Sequence, residues 1–109
     1  MKPVVWLGDS LQRVREFAAD ARRVAGHQLE VVQAGRQPAD WKTMPSVGIG
    51  ASELRVRTGD AYRVLYVAKF SEAIYVLHAF QKKTRKTARA DIELARRRFR
   101  MLIAERRER

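Results

Sequence analysis

Residues 53–80 alternate between apolar and polar side chains with a period of two, and this pattern limits the possible folds more than any other feature of the sequence. Successive side chains of a strand point to opposite faces of a sheet, which produces this period. Two pairs of turn residues, Gly59-Asp60 and Ser71-Glu72, separate three strand-like segments, SELRVRT, AYRVLYVAKF and AIYVLHAF. The pattern therefore predicts a three-stranded antiparallel meander.

A two-residue turn at Ser71-Glu72 also predicts a register, in which Phe70 faces Ala73 and Arg63 faces Phe80. One face of the meander then holds Arg63, Leu65, Val67, Lys69, Ile74, Val76, His78 and Phe80. The other face holds Tyr62, Val64, Tyr66, Ala68, Phe70, Tyr75 and Leu77. Both faces are apolar in their middle, so we expect one to be covered entirely and the other in part.

A short apolar run and two helical segments precede the meander. Residues 3–7 are too few for a helix and predict a strand, and Gly8-Asp9-Ser10 then supplies turn residues and an N-cap. Apolar residues recur at helical spacing from Leu11 to Val32, with Asp20 as a cap for a second segment and Gly35 at a C-cap position. A helical hairpin is the preferred interpretation, and one kinked helix is the alternative.

Residues 36–52 contain two prolines and two glycines without sustained periodicity, which predicts a long connecting loop. We expect Trp41 and Met44 to fold this loop back onto the body of the protein. For Trp41, packing against the body and stacking on a nucleobase are both open.

The last predicted element is a helix from about Ala88 to Glu105, with Thr87 as its N-cap. Its apolar stripe consists of Ile92, Ala95, Phe99, Leu102 and Ile103. Leu94 and Met101 lie seven residues apart and project from the opposite side among arginines. They are either ordinary apolar surface or a ridge that binds a partner protein.

The charge of the chain is strongly positive, with 23 Lys and Arg against 12 Asp and Glu, a net charge of +11. Residues 81–109 carry 12 of the basic and 4 of the acidic residues, so most of the excess lies near the C-terminus. This asymmetry predicts a polyanionic partner such as RNA, DNA or an anionic membrane surface. A solvated basic helix without a partner is the alternative interpretation.

Length and cysteine content narrow the protein class further. A chain of 109 residues predicts a single domain over residues 1–109. It contains no cysteine, which excludes disulfide scaffolds, thiolate zinc sites and cysteine nucleophiles. The N-terminal apolar run is too short for a signal peptide or a spanning helix, so we expect a soluble cytoplasmic protein with no membrane segment.

Candidate chemistry rests on basic side chains. The two histidines, His27 and His78, lack the spacing of metal ligands, and there is no nucleotide-binding loop or GxSxG motif, so we expect neither metal nor cofactor. The basic candidates are Arg55, Arg57, Arg63, Lys82, Lys83, Arg85 and Lys86. The meander can bring them together near phosphate, either for metal-free phosphodiester cleavage or for passive RNA binding. The residue pattern leaves both open.

A family resemblance narrows this choice. The predicted element order and the segments WKTMPSVGIGASELRVR, YRVLYVAKF, IYVLHAFQKKTRKT and ADIELARRR resemble the phage-derived Gp49-like branch of the HigB/RelE toxins over about residues 3–103. The resemblance implies an α+β RelE-like single domain. It also implies a toxin that cleaves mRNA, usually on the ribosome, and that a helix-turn-helix, HigA-like antitoxin neutralises.

The resemblance also implies roles for the basic residues. Residues at matching positions of RelE-type toxins stabilise phosphate and assist proton transfer. The matching positions are Arg55, Arg57, Arg63, Lys82 and Lys83. We assign Arg57, Arg63 and Lys83 to catalysis and Arg55 and Lys82, with the neighbouring Arg85 and Lys86, to RNA binding. Several relatives carry a Tyr or His near the C-terminus as acid or base, and this chain has neither after His78. His78 is a candidate base or a structural residue. Glu53 is a weaker candidate base or, as the acid that opens a basic strand, pairs with a neighbour. Leu94 and Met101 are the candidate antitoxin contact.

Overall fold

The computed structural model describes residues 1–109 and shows a five-stranded mixed sheet with helices packed on both faces. The elements in chain order are β1 (Val4–Trp6), α1 (Ser10–Arg15), α2 (Ala19–Gln33), β2 (Trp41–Thr43), β3 (Ala51–Thr58), β4 (Asp60–Val67), β5 (Ile74–Lys82) and α3 (Arg89–Arg107). The strand order is β1-β5-β4-β3-β2, with β1 parallel to β5 and every other pair antiparallel. The predicted α+β class is confirmed.

The helical segment before the meander consists of two helices. The chain leaves the helical conformation at residues 16–18, between α1 and α2. Phe17 lies in this break, is buried, and packs on Tyr62 of β4 with 4.6 Å between the ring centroids. Burial of this aromatic ring between the helices holds the break in place, so the prediction of two helices rather than one kinked helix is confirmed.

The sheet has a separate apolar core on each face. The core beneath α1 and α2 consists of Val14, Phe17, Ala21, Ala25, Leu29, Val32, Leu54, Val56, Tyr62, Val64, Tyr66, Ile74, Val76 and Ala79. The core beneath α3 consists of Met44, Val47, Ala51, Leu65, Val67, Ala73, Tyr75, Leu77, Phe80, Ala95 and Leu102. Because α3 begins over His78 and ends over Glu72, it leaves the far end of β5 uncovered.

A β-bulge in β5 alters the predicted register. Arg63 faces Phe80 as predicted, but Tyr66 faces Val76, so Leu77 has no partner on β4. A bulge places two residues opposite one and reverses the side-chain alternation of everything beyond it. The predicted register therefore holds only for the end of β5 that follows the bulge.

The predicted faces of the first half of β5 are wrong for this reason. Ile74 and Val76 lie in the core beneath α1 and α2, and Tyr75 and Leu77 lie in the core beneath α3. The connection between β4 and β5 spans residues 68–73, longer than a two-residue turn at Ser71-Glu72. The longer connection removes the geometric basis of the predicted pairing.

The predicted loop over residues 36–52 contains a strand. β2 pairs antiparallel with β3, with Trp41 opposite Leu54 and Thr43 opposite Ser52, and β3 already begins at Ala51. A three-residue strand is too short to show a periodicity in the sequence. Its pairing with β3 makes β2 an edge of the sheet.

The N-cap expected within residues 8–10 is Asp9, and Gly35 directly follows the C-cap of α2 with a positive φ, but the N-caps predicted at Asp20 and Thr87 are wrong. The residues at the cap positions are Asp9 for α1, Ala18 for α2 and Ala88 for α3, and none forms a side-chain capping hydrogen bond. Asp20 lies within the first turn of α2, where its negative charge stabilises the positive end of the helix dipole. Thr87 precedes the cap of α3.

The C-terminal helix follows the predicted stripe and extends two residues further than predicted at its C-terminus. Ala95 and Leu102 are buried, and Ile92 and Phe99 pack against the same core. Arginines occupy most of the opposite side. None of the three helices combines the length and apolar character that a membrane crossing requires.

Candidate functional site

Three neighbouring strands place basic side chains on one face of the sheet, beyond the start of α3. Cross-strand pairing aligns Arg55 with Arg63, and Ala61 lies between Arg57 and Lys82. Directly paired residues point to the same face, and these pairs continue the face that α3 covers further along. Lys42 of β2 joins them through its pairing with Glu53. We call these five side chains the basic face: Lys42, Arg55, Arg57, Arg63 and Lys82.

The basic face is graded from exposed to buried. The Arg57 side chain is 65 % exposed, Arg55 is 26 % exposed and Arg63 only 5 %. Arg63 donates from Nη1 to the carbonyl oxygen of Tyr62 at 3.0 Å. A polyanion that approaches this surface therefore contacts Arg57 first. Buried Arg63 attracts it through its charge without direct contact.

A buried carboxylate lies under these guanidinium groups. Glu53 is 1 % exposed, and its Oε1 accepts a hydrogen bond from Arg55 Nε at 3.1 Å and lies 3.4 Å from Arg63 Nε. Its Oε2 and the Nε of Arg63 have no hydrogen-bond partner. Glu53 pairs with its neighbours, one of the roles considered for it, and its burial keeps it from contact with a large substrate.

The second carboxylate of the cluster is exposed. Asp40, directly before β2, places its Oδ2 3.6 Å from Arg57 Nε and its Oδ1 3.9 Å from Arg55 Nη1. Its side chain is 43 % exposed. Five cations against two carboxylates leave the cluster with a net charge of +3.

Burial and mutual repulsion shift the protonation of this cluster. Loss of hydration lowers the pKa of Lys82, and the positive charge of nearby Arg63 lowers it further. Burial likewise lowers the pKa of Arg63, while the charge of Glu53 opposes the shift. Lys82 is therefore a better proton donor than a lysine in water.

His78 occupies an enclosed position. It is 1 % exposed, its Nε2 lies 2.7 Å from Asp91 Oδ1 of α3, and its ring stacks on Phe80 with 5.3 Å between centroids. Burial lowers the pKa of His78, and the hydrogen bond to Asp91 opposes that shift. These contacts attach β5 to the first turn of α3, which favours the structural interpretation of His78 over a role as base.

The remaining basic candidates, Lys83, Arg85 and Lys86, follow the last strand of the basic face. Lys83 is exposed and lines a surface depression with Phe17 and Tyr62, on the α1 side of the sheet. Arg85 and Lys86 lie in the exposed segment that joins β5 to α3. The structure thus brings together Arg55, Arg57, Arg63 and Lys82. Lys83 lines a second small depression together with Lys82, and Arg85 and Lys86 lie in the segment that follows.

The candidate antitoxin contact is only partly an exposed ridge. Met101 is 58 % exposed, whereas Leu94 is half-buried, so the expectation that both project freely is wrong for Leu94. Met101 also borders a small depression lined by Leu7 and Leu102.

Two residues of the cluster were missed by sequence reasoning. Asp40 and Lys42 flank Trp41 in the segment interpreted as a loop. The only local signal was a Trp and a Thr, both common in strands, on either side of Lys42. Their position beside β3 follows from the pairing of β2 with that strand, and a strand of only three residues has no recognisable pattern in the sequence.

The fold and comparison with known families assign the chain to a class of small proteins. A small α+β domain with a five-stranded mixed sheet and three helices is consistent with the RelE-like fold, although its strand arrangement differs in detail. The sequence model of the phage-derived Gp49-like protein family matches residues 12–100, and the chain belongs to this family. The family is associated with toxin-antitoxin systems and belongs to the RelE/HigB-like toxin superfamily, which implies an antitoxin as partner. The chain matches no curated protein.

Proposed function

We propose that the protein is the toxin of a type II toxin-antitoxin system and cleaves mRNA bound to the ribosome without a metal ion. The observation that carries the proposal is the basic face, where exposed Arg57 and half-buried Arg55 and Lys82 surround buried Arg63. No three His, Asp or Glu side chains meet in a group that could hold a metal ion. Cations placed at the phosphate are the alternative means of stabilising the charge that develops there.

The proposed reaction is attack of an RNA 2′-hydroxyl on the neighbouring phosphorus. The new bond joins the 2′-oxygen to phosphorus, the bond to the 5′-oxygen breaks, and the products are a 2′,3′-cyclic phosphate and a 5′-hydroxyl end. Arg57 opposes the negative charge that grows on the phosphate oxygens. Exposed Asp40 accepts the 2′-hydroxyl proton, and Lys82 donates a proton to the departing 5′-oxygen.

Passive RNA binding by the same face is the second candidate function. It is favoured by the enclosed position of His78, which leaves no accessible imidazole on the basic face. In this case the protein inhibits translation by occupying the ribosome. The two functions differ in one product, the cleaved message.

The first test measures cleavage of mRNA on programmed ribosomes that polyamines keep intact while EDTA removes free divalent ions. We expect cleavage to persist and to yield cyclic phosphate ends. Sedimentation of the ribosomes after treatment is the control for their integrity. Intact message on intact ribosomes would establish passive binding, and activity restored only by metal added to the toxin would exclude the metal-free mechanism.

Arg57→Gln separates chemistry from binding. We expect single-turnover cleavage at saturating ribosomes to slow by about a hundredfold to a thousandfold, as for loss of one donor that stabilises a transition-state charge. Arg107→Gln removes an equal charge from the exposed C-terminal turn of α3 and should change only the salt dependence of binding. Equal single-turnover rates for the two variants would remove Arg57 from the catalytic assignment.

The pH profile tests the assignment of Lys82. A donor must be protonated, so cleavage should decline as pH rises through the pKa of Lys82, which burial holds below the usual lysine value. In Lys82→Arg the guanidinium stays protonated, and the alkaline decline should move to higher pH even if the overall rate falls. An alkaline decline at the same pH in both proteins would assign it to another group.

A further inference from the structure

A groove of about 370 Å³ lies on the opposite side of the sheet from the basic face, where β2 and the loop after α2 meet the N-terminus. Lys2, Arg36, Trp41 and Lys69 supply its large side chains. Neither the metal-free mechanism nor the antitoxin contact uses any of them. The groove is thus a surface feature without a role in the proposed function.

The groove is positively charged and contains no acidic residue among those that line it. Lys2 donates from Nζ to the carbonyl oxygen of Ala68 at 2.6 Å, and Lys69 donates to that of Ile49 at 2.9 Å. These carbonyl contacts do not neutralise either charge. The Lys69 ammonium also lies 5.1 Å from the ring centroid of Phe70 and 5.9 Å from that of Phe99 of α3, so Lys2 and Arg36 supply the positive charge that is specific to the groove. Arg36 is exposed, and none of the three cations forms an ion pair.

An aromatic ring completes the groove. Trp41 pairs with Leu54 and therefore points to the α2 side of the sheet, yet it remains 36 % exposed. A partly exposed indole beside cations is the arrangement with which proteins stack the bases of single-stranded nucleic acid. Beneath it lie two hydroxyl-bearing residues, Ser52 and buried Tyr66. Burial raises the pKa of Tyr66 to about 12, so its hydroxyl keeps its proton.

The edge strand β2 connects this groove with the basic face. Successive residues of a strand point to opposite faces, so Trp41 lines the groove while Lys42 belongs to the basic face. Asp40, one residue earlier, lies beside Arg55 and Arg57. An extended polyanion can therefore pass over the short edge strand from one surface to the other.

We propose that this groove binds a nucleotide of the same single-stranded RNA whose scissile phosphate lies on the basic face, with its base stacked on Trp41 and a phosphate near Lys2 and Arg36. The proposal rests on the proposed function for the identity of the RNA. Base stacking distinguishes this occupant from an acidic protein segment, which would use the cations and leave the indole without a partner.

The test uses Trp41 as its own reporter. Trp6→Phe leaves Trp41 as the only tryptophan, since the chain has 2. A fully 2′-O-methylated adenosine hexamer, which lacks the attacking hydroxyl, should quench the fluorescence of Trp41. Inorganic phosphate and a deca-glutamate peptide should not. Quenching by the peptide but not by the hexamer would overturn the proposal in favour of an acidic protein segment.

Affinity measurements with a dye-labelled hexamer give the second readout. Trp41→Ala should weaken binding by about 5- to 150-fold, the range for loss of one stacked base. Arg36→Gln should lower the slope of affinity against salt by about 0.7, the value for one phosphate contact on a single strand. Arg23→Gln, an exposed arginine of α2 outside the groove, is the matched control.

Each outcome separates the groove from the catalytic proposal. Arg36→Gln and Trp41→Phe keep the test valid if Trp41→Ala does not fold, as circular dichroism would show. Equal effects of Arg36→Gln and Arg23→Gln, or hexamer binding without quenching, would overturn the groove as an RNA site while ribosomal cleavage stands. Quenching by the hexamer in a protein that cleaves no message would support the groove and refute the catalytic proposal.

Discussion

The face of the sheet beneath α3 has two halves that the same strands build in opposite ways. In the covered half, Leu65 and Leu77 pack beneath Ala95 and Leu102 of the helix. In the open half, two residues before Leu65 on the same face of β4, Arg63 lies among other cations. The boundary between the two halves is the contact of His78 with the first turn of α3.

The two halves contribute in opposite ways to the free energy of folding. Burial of apolar side chains in the covered half stabilises the fold at about 25 cal/mol for each Å² removed from water. The open half buries Arg63 and Glu53, whose loss of hydration consumes much of their attraction. A costly charged pair at an uncovered sheet end is consistent with selection for binding or catalysis rather than for stability.

Among these predictions, removal of the Arg63 charge from the open half should have a large effect on the free energy of unfolding. Arg63→Met keeps the aliphatic stem but leaves Glu53 with only the hydrogen bond from Arg55. We expect the free energy of unfolding to fall by about 3 kcal/mol, the lower end for one partner lost from a buried pair. Urea denaturation at neutral pH measures this change.

The double variant Arg63→Met with Glu53→Gln is the control for this explanation. With the buried carboxylate also neutralised, most of the lost stability should return. A double variant no more stable than Arg63→Met would show that packing, and not the unpaired charge of Glu53, sets the cost.

Truncation of one buried side chain tests the covered half. Leu102→Ala should lower the free energy of unfolding by about 2–5 kcal/mol because it leaves a cavity beneath α3. Its neighbour Met101 is 58 % exposed, so Met101→Glu should change stability by no more than about 0.5 kcal/mol. The same Met101→Glu protein should bind the antitoxin more weakly if Met101 is the proposed contact. Similar urea midpoints for the two variants would contradict the described burial.

The smallest expected effect concerns a surface ion pair that joins α3 to the turn before α1. Hydrogen bonds from Arg98, at 2.7 Å, and from Arg13 lower the pKa of Asp9 to about 2. Because the pKa of Asp9 is lower in the folded chain than in the unfolded chain, the ionised carboxylate stabilises the fold at every pH above its unfolded-state pKa. This stabilisation is lost as the pH falls through the folded-state pKa of about 2. Asp9→Asn should therefore cost less than about 1 kcal/mol at pH 7, because the Asp9 side chain is 46 % exposed to solvent, which screens the pair.

The acid range supplies the check on this last prediction. Urea midpoints of the wild type and Asp9→Asn should converge as pH falls below about 3, and 1 M salt should reduce the difference at pH 7. A difference that persists at pH 2 would mean that Asp9 acts through its shape or its neutral hydrogen bonds.

Sequence patterns predicted the elements that repeat over many residues. The alternation from Glu53 to Phe80 predicted the meander, and the 3.6-residue spacing predicted both the helical pair and α3. The pairing of Arg63 with Phe80 also followed from the sequence, since it lies on the side of the bulge that keeps the predicted register. These features depend on local periodicity, which a single chain displays directly.

The bulge and the edge strand were beyond such reasoning. The bulge at Leu77 lets β5 contribute side chains to both cores. The pairing of β2 depends on β3, where Leu54 lies 13 residues after its partner Trp41. Neither leaves a periodic signal, because each depends on contacts between distant segments.

The sequence by itself determined the α+β class, the order of the main elements and the presence of basic residues on consecutive strands. Only the tertiary structure decided which of those residues meet. It brought Lys82 to Arg57 and Arg63, left Lys83 beyond the end of β5 and enclosed His78 beneath α3. The physical reason is that charge and periodicity are local properties of a chain, whereas proximity and burial depend on how its sheet pairs and which part of it a helix covers.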